Sequence, residues 1–217
     1  MKYYKLYLSV DSSDIGTRNG EAQVEMTNNM HLTGEPLHTF FKNASYESLF
    51  DSNVSLSFKK NKNAILTDIL SYSPFLNNCH FLINNKLYNI FTTCAPSRYV
   101  FLNSKIQDAF DSYRMFYCPM DNIEIIDFSR SLFYEDKKKD KLLSFIDLAD
   151  FKAKENKFFY LKPSVLYFTG KQKSIINCYF SGLFVSESFL ENLVLNKISG
   201  IDYSSTKKTE TEFNFTG

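Results

Sequence analysis

Three times along this chain an apolar run ends in Asn or Ser and passes at once into residues with helical spacing. The copies occupy residues 81–91, 99–110 and 182–193, with junctions at Asn84, Ser104 and Ser186. A Ser or Asn side chain can accept a hydrogen bond from the unpaired N–H groups of a helix's first turn, so each junction predicts a strand that hands over directly to a helix. Ser104 with Gln107 and Ser188 with Glu191 also have capping-box spacing. The expected class is α+β: a strand-rich mixed sheet with several short helices and repeated strand–Ser/Asn–helix units.

With 217 residues the chain has enough length for one domain with a sizeable core, or for two tightly joined lobes at about 1–75 and 76–203. Residues 204–217 read as a polar tail, either frayed or pairing as a strand with a neighbour, since Phe213 and Phe215 alternate within it. Glycine occurs only 7 times, which argues against Gly-rich phosphate loops. A net charge of +1 gives no case for nucleic-acid binding. The basic run Lys137, Lys138 and Lys139 is flanked by Glu135, Asp136 and Asp140 and reads as a solvated turn. No stretch approaches the roughly 20 apolar residues of a membrane span, and no apolar leader follows Met1, so a cytoplasmic protein is expected.

Residues 3–10 alternate, with Tyr4, Leu6, Leu8 and Val10 on one face and Tyr3, Lys5 and Tyr7 on the other. Apolar bulk on both faces predicts a strand in the interior of a sheet. Residues 11–33 turn polar and read as a loop or irregular hairpin. Pro36 suits the start of a helix whose buried face is Leu37, Phe40, Phe41 and Ala44. Val54, Leu56 and Phe58 predict a half-buried strand, and residues 64–70 fit either a short helix or a strand. Residues 123–128, 158–161, 165–168 and 175–180 are further strand candidates, the last two joined as a hairpin around Gly170. Gly200 reads as the stop signal of the helix that begins near Ser186.

The sequence names no catalytic, cofactor-binding or metal-ligating residue. His31, His38 and His80 stand apart in sequence, whereas metal sites usually show a close pair of ligands. Cys79, Cys94, Cys118 and Cys178 match no zinc, haem or redox spacing and read as partly buried free thiols. Cys79 and His80 are adjacent, so in a strand they point to opposite faces. Asp147 and Asp150 would share a helix face, more in keeping with solvation than with acid–base chemistry. No nucleophile elbow, P-loop or dinucleotide fingerprint occurs.

The order of segments is familiar in one respect. A Tyr-rich opening strand, a central strand–Ser/Asn–helix unit and the run Ile125, Ile126, Asp127, Phe128, Ser129 are followed by Gly182, Leu183, Phe184, Val185, Ser186, Glu187 and then Gly200, Ile201, Asp202, Tyr203. This arrangement resembles the immunity proteins of bacterial polymorphic-toxin systems, in the groups called immunity protein 11 and immunity protein 43. Their closing part reads as an apolar strand ending in Ser and an acidic residue, a helix, and a Gly-apolar-acidic-aromatic turn. The resemblance covers the last half to two-thirds of the chain. It implies a cytoplasmic protein without cofactor or catalysis that binds and neutralises a cognate toxin encoded nearby. Because many such toxins present basic clefts, the acidic residues Asp11, Asp14, Glu21 and Glu25 are the expected partner-binding surface. Two other classes compete: an enzyme with an unrecognised site, and a structural protein pairing through an exposed strand.

Overall fold

The computed structural model describes residues 1–18, 20–31, 34–50, 52, 54–93, 98–135, 138–158, 160–180 and 182–217. Cys94 and Lys137 therefore lie outside the described residues. In chain order the elements are β1 (Lys2–Lys5), α1 (Ser12–Ile15), β2 (Val24–Met26), α2 (Leu37–Asn43), α3 (Tyr46–Phe50), β3 (Ser55–Lys60), β4 (Ile69–Leu70), β5 (Tyr72–Ser73), β6 (Cys79–Asn84), α4 (Asn85–Thr92), β7 (Val100–Ile106) and β8 (Tyr113–Tyr117). They continue with β9 (Leu132–Glu135), β10 (Lys138–Leu143), α5 (Leu148–Lys154), β11 (Leu161–Thr169), β12 (Ile175–Cys178), β13 (Gly182–Ser186), α6 (Glu187–Leu195), α7 (Tyr203–Lys207) and β14 (Glu210–Thr216). The fold is α+β, with its strands divided between two seven-stranded mixed sheets: β4-β6-β8-β7-β3-β2-β5, and β10-β9-β11-β14-β1-β13-β12.

The two sheets repeat one another. Read from β4, the first six strands of one sheet pair antiparallel three times, then parallel, then antiparallel. Read from β12, the other sheet gives the same series. Register agrees as well: Ile83 faces Ile69 and Val185 faces Ile175, while the helix caps Asn84 and Ser186 face Tyr113 and Tyr3. Tyr113 donates its hydroxyl proton to Thr67 O at 3.0 Å, and Tyr3 donates to Lys173 O at 2.5 Å, each two residues before the matching isoleucine. The N–H of Asn84 reaches Asp68 O and that of Ser186 reaches Ser174 O, again equivalent positions. The chain is thus two copies of one unit. The place that β8 fills in the first copy is filled in the second by β1, from the other end of the chain.

Alternation explains how each sheet buries both faces. On β8, Tyr113, Met115 and Tyr117 pack with Leu37, Phe41 and Leu49 of α2 and α3, while Phe116 turns to the other face with Phe81 and Ile83. On β1, Tyr3 joins a core with Phe133, Phe151 and Phe213, and Tyr4 joins the core of Phe116. That central core holds the two units together through α4 and α6, where the rings of Phe91 and Phe189 meet edge to face at 5.0 Å. The expected interior strand at the N-terminus is present, although its ladder ends at Lys5 and Val10 is exposed.

Two of the three sequence units form as expected. Asn84 Oδ1 accepts from Leu87 N–H at 3.1 Å, and Ser186 Oγ accepts from Phe189 N–H at 3.3 Å. The third does not. Residues 99–110 contain no helix, because β7 continues through Ser104 between β8 and β3, and Ser104 Oγ accepts from Met115 N–H instead of capping. The capping box of Ser188 and Glu191 is likewise displaced, since Ser186 is the cap.

Other expectations are corrected. The strand expected at 123–128 is a 3₁₀ turn at Ile123–Ile125 capped by Asn122. No hairpin forms around Gly170: β11 pairs with β9 and β14, whereas β12 pairs with β13. Lys138 begins strand β10 in place of a turn; of residues 64–70, which fit a short helix or a strand, Ile69 and Leu70 form the strand β4. Asp147 is the cap of α5, accepting from Asp150 N–H, so the two carboxylates do not share a helix face. The helix α6 ends before Gly200, in a Schellman motif. Ile198 N–H reaches Leu193 O at 3.0 Å, Lys197 N–H reaches Val194 O at 2.9 Å, and Lys197 takes the left-handed conformation (φ 49°).

The lobes at 1–75 and 76–203 do not match the units, since β1 belongs with residues 132–216. Residues 204–217 are no tail. They supply most of α7 and all of β14, which lies between β1 and β11 with Phe213 fully buried. Both edges of β14 are occupied, which removes the idea that this segment pairs with another molecule.

Candidate partner-binding surface

The four acidic residues singled out in the sequence are all exposed but serve different local ends. Asp11 caps α1, accepting from Ser13 N–H and Ser13 Oγ at 2.9 Å each, and these bonds hold its carboxyl below the usual value. Asp14 accepts from Ser9 Oγ at 3.0 Å. Glu21 lies in the turn after Arg18. Glu25, on β2, pairs with Lys59 at 3.0 Å. Glu25 reaches, through Lys59, the edge of an open recess of about 700 Å³ whose lining includes Lys59, Ile65, Gln107, Asp108 and Phe110. Its wall at Ile65 is bonded to Ile15 of α1, and Lys59 lines it beside Phe110, whose side chain stands fully exposed. Asp11, Asp14 and Glu21 do not line that recess.

A second open groove, about 720 Å³, runs beside α6. Its lining comes from both ends of the chain: Tyr4 of β1, Leu190, Val194 and Leu195 of α6, and Lys207 of α7. The helix buries Phe189, Leu190 and Leu193, the stripe a surface helix needs. Val194 and Leu195 fall outside that stripe, and Leu195 is 79% exposed. On the rim, Glu187 and Glu191 sit one turn apart. Tyr4 is placed so that its hydroxyl can donate to Glu187 Oε1 or to Glu210 Oε2, each at 3.4 Å, while Lys2 pairs with Glu210 at 3.1 Å. Burial and these carboxylates hold the Tyr4 phenol above its usual value. Sequence reasoning missed this groove, because Tyr4 and α6 are far apart in the chain. The one local signal was an apolar set on α6 wider than a single buried face.

The base of α6 is fixed to the first unit by Asp68. Burial by itself would raise the Asp68 carboxyl, but hydrogen bonds from Ser199 N–H, Asn84 and Ser199 Oγ, with the charge of Lys86, hold it below the usual value. Ser199 is thereby tied to β4, and Gly200 follows it against the same strand.

The nucleophile and ligand candidates occupy other places. Cys79, Cys118 and Cys178 are buried free thiols whose burial pushes them up, away from thiolate. His31 stacks on Phe40 at 4.1 Å and His38 is exposed on α2. Among the described residues, no group of three His, Cys, Asp or Glu could hold a metal ion. No helix of the described residues is long and apolar enough to cross a membrane.

His80 is a structural joint between the units. Its Nε2 lies 3.1 Å from Cys118 O, to which it donates in the Nε2-protonated form, and 3.3 Å from Asn177 Nδ2 of the second unit. Asn177 of β12 donates to the same carbonyl at 2.8 Å. Burial lowers the His80 pKa below 6.5, against the opposing pull of the Cys118 carbonyl. The unfolded chain therefore binds this proton first as pH falls. Stability is complete above 6.5 and declines as pH drops through the window below it. Urea midpoints measured against pH should show this decline in the wild type and a shallower one in His80→Gln. Equal slopes would refute it.

No protein-family model matches the chain, and no curated protein matches it.

Proposed function

We propose that this chain is a toxin-neutralising immunity protein: it binds one cognate toxin through a protein–protein interface and does no chemistry itself. The observation that carries this reading is the groove beside α6. It lies on the segment whose strand, Ser junction, helix and Gly-Ile-Asp-Tyr close resemble the immunity protein 11 and 43 groups. Unspent apolar side chains on an otherwise satisfied helix, rimmed by charge, are what a specific protein interface uses for its anchors. The recess around Phe110 and Ile65, edged by Glu25 through its pair with Lys59, is a second contact area on this reading.

Co-expression with the product of the neighbouring gene is the test. The expected result is rescue of growth together with a complex that survives co-purification. No rescue and no complex would overturn the reading. Charge reversal at Asp11 and Asp14 that leaves affinity and its salt dependence unchanged would remove the acidic stretch from the interface.

A further inference from the structure

We infer that the groove beside α6 takes an arginine side chain from the partner protein, its guanidinium held by Glu187 and Glu191 over Tyr4 and Leu190. The internal repeat supplies the argument. Register sets Arg114 of β8 in the place of Tyr4, since Arg114 faces Ile83 as Tyr4 faces Val185. Counting from the two helix caps sets Asn85 in the place of Glu187 and Tyr88 in the place of Leu190.

In the first unit this position is filled from within. The Arg114 guanidinium lies 4.1 Å from the Tyr88 ring centroid and donates to Asn85 Oδ1 at 2.5 Å. The unit therefore has, at the start of its helix, a place shaped to lay a guanidinium across the first turn. In the second unit the internal arginine is gone. Tyr4 is shorter, the acceptor Asn85 has become the carboxylate Glu187, and a second carboxylate, Glu191, follows one turn on. Glu187 sits in the first turn, where a carboxylate favours the helix, but a like charge four residues on at Glu191 weakens it, so Glu191 is not there for the helix itself. Among the described residues, Glu191 makes no ion pair. A planar guanidinium, with five donors and a weakly hydrated face, suits two carboxylates above an apolar floor better than an ammonium does. Leu195 and Val194 then take the apolar residues flanking that arginine.

This rests on the toxin-binding reading only for the identity of its natural partner, and the experiment separates the two. With a neighbouring-gene product that binds, titration calorimetry compares wild type, E187Q/E191Q, E187R/E191R and L195S across ionic strength. Both glutamates and Leu195 are exposed, so unchanged melting temperatures will verify the fold. Charge reversal is expected to weaken binding by about tenfold or more and to flatten its salt dependence. Full affinity in E187R/E191R would overturn the inference while leaving the toxin reading intact.

If no such product binds, the toxin reading falls and the groove is probed directly. N-acetyl-arginine amide, and its citrulline counterpart as a neutral isostere, are titrated into the full-length protein and followed by amide NMR. Saturable shifts confined to α6 and β1, given by arginine alone and lost in E187Q/E191Q, are expected. Shifts equal for both compounds, or none on α6, would overturn the inference.

Discussion

Truncation of Tyr3 to alanine is expected to cost the fold about 3 to 5 kcal/mol, the range for losing a fully buried large aromatic side chain. Tyr3 is 0% exposed, stacks on Phe213 at 4.7 Å, and donates its hydroxyl proton to Lys173 O. A residue so near a chain end would ordinarily be dispensable. Here it occupies the second unit's counterpart of Tyr113, so Tyr3→Ala and Tyr113→Ala should lower Tm by similar amounts, roughly 6–20 °C for a chain of this size. Tyr3→Phe should cost only about 1 kcal/mol, the net worth of one hydrogen bond. A Tm for Tyr3→Ala within a degree or two of wild type would show that β1 is an accessory arm and would break the equivalence of the units.

Gly200→Ala is the second large effect. The backbone at Gly200 has φ +89°, and an added Cβ would lie 2.4 Å from Ile69 O and 2.6 Å from Thr67 Oγ1. Neither neighbour can yield easily. Ile69 belongs to β4, and Thr67 Oγ1 is locked between Ile69 O and the Gln23 amide. The left-handed backbone alone costs about 1–2 kcal/mol for an L-residue. Displacing β4 raises the total to more than about 3 kcal/mol, the size reserved for named steric faults. Gly182→Ala is the control. It has the same φ of +89° but nothing within 4 Å of the added Cβ, so only the backbone cost applies. Equal losses in the two variants, by urea denaturation, would show that the close approach to β4 carries no energy.

Those two positions also mark where sequence reading succeeds and where it stops. The caps at Asn84 and Ser186 were legible because strand, cap and first turn are contiguous and the hydrogen bond closes within three residues. Ser104 carries the same local signal and fails, because β3 and β8 hold its backbone in a ladder and give its hydroxyl another partner. The alternation of Phe213 and Phe215 was visible, but its meaning was not. The strands that bury Phe213 are β1 and β11, and the first of these lies at the opposite end of the chain. Gly200 looked like a helix stop, since its real constraint is a contact with Ile69 that no local pattern reports. The surface groove was hidden for the same reason, with only Val194 and Leu195 hinting at it from within α6.

The place of β1 in the second sheet also sets an order of events during synthesis. Lys2–Lys5 are made before the strands of the first unit, yet their two neighbours, Gly182–Ser186 and Glu210–Thr216, are made after it. The first unit, complete by Tyr117, can close as it emerges. The strand Lys2–Lys5 must wait beside it with both edges unpaired until Gly182–Ser186 and Glu210–Thr216 have been made. A nascent chain that stops before Gly182 thus displays a bare, tyrosine-rich strand whose unpaired edges are a template for pairing with the wrong partner.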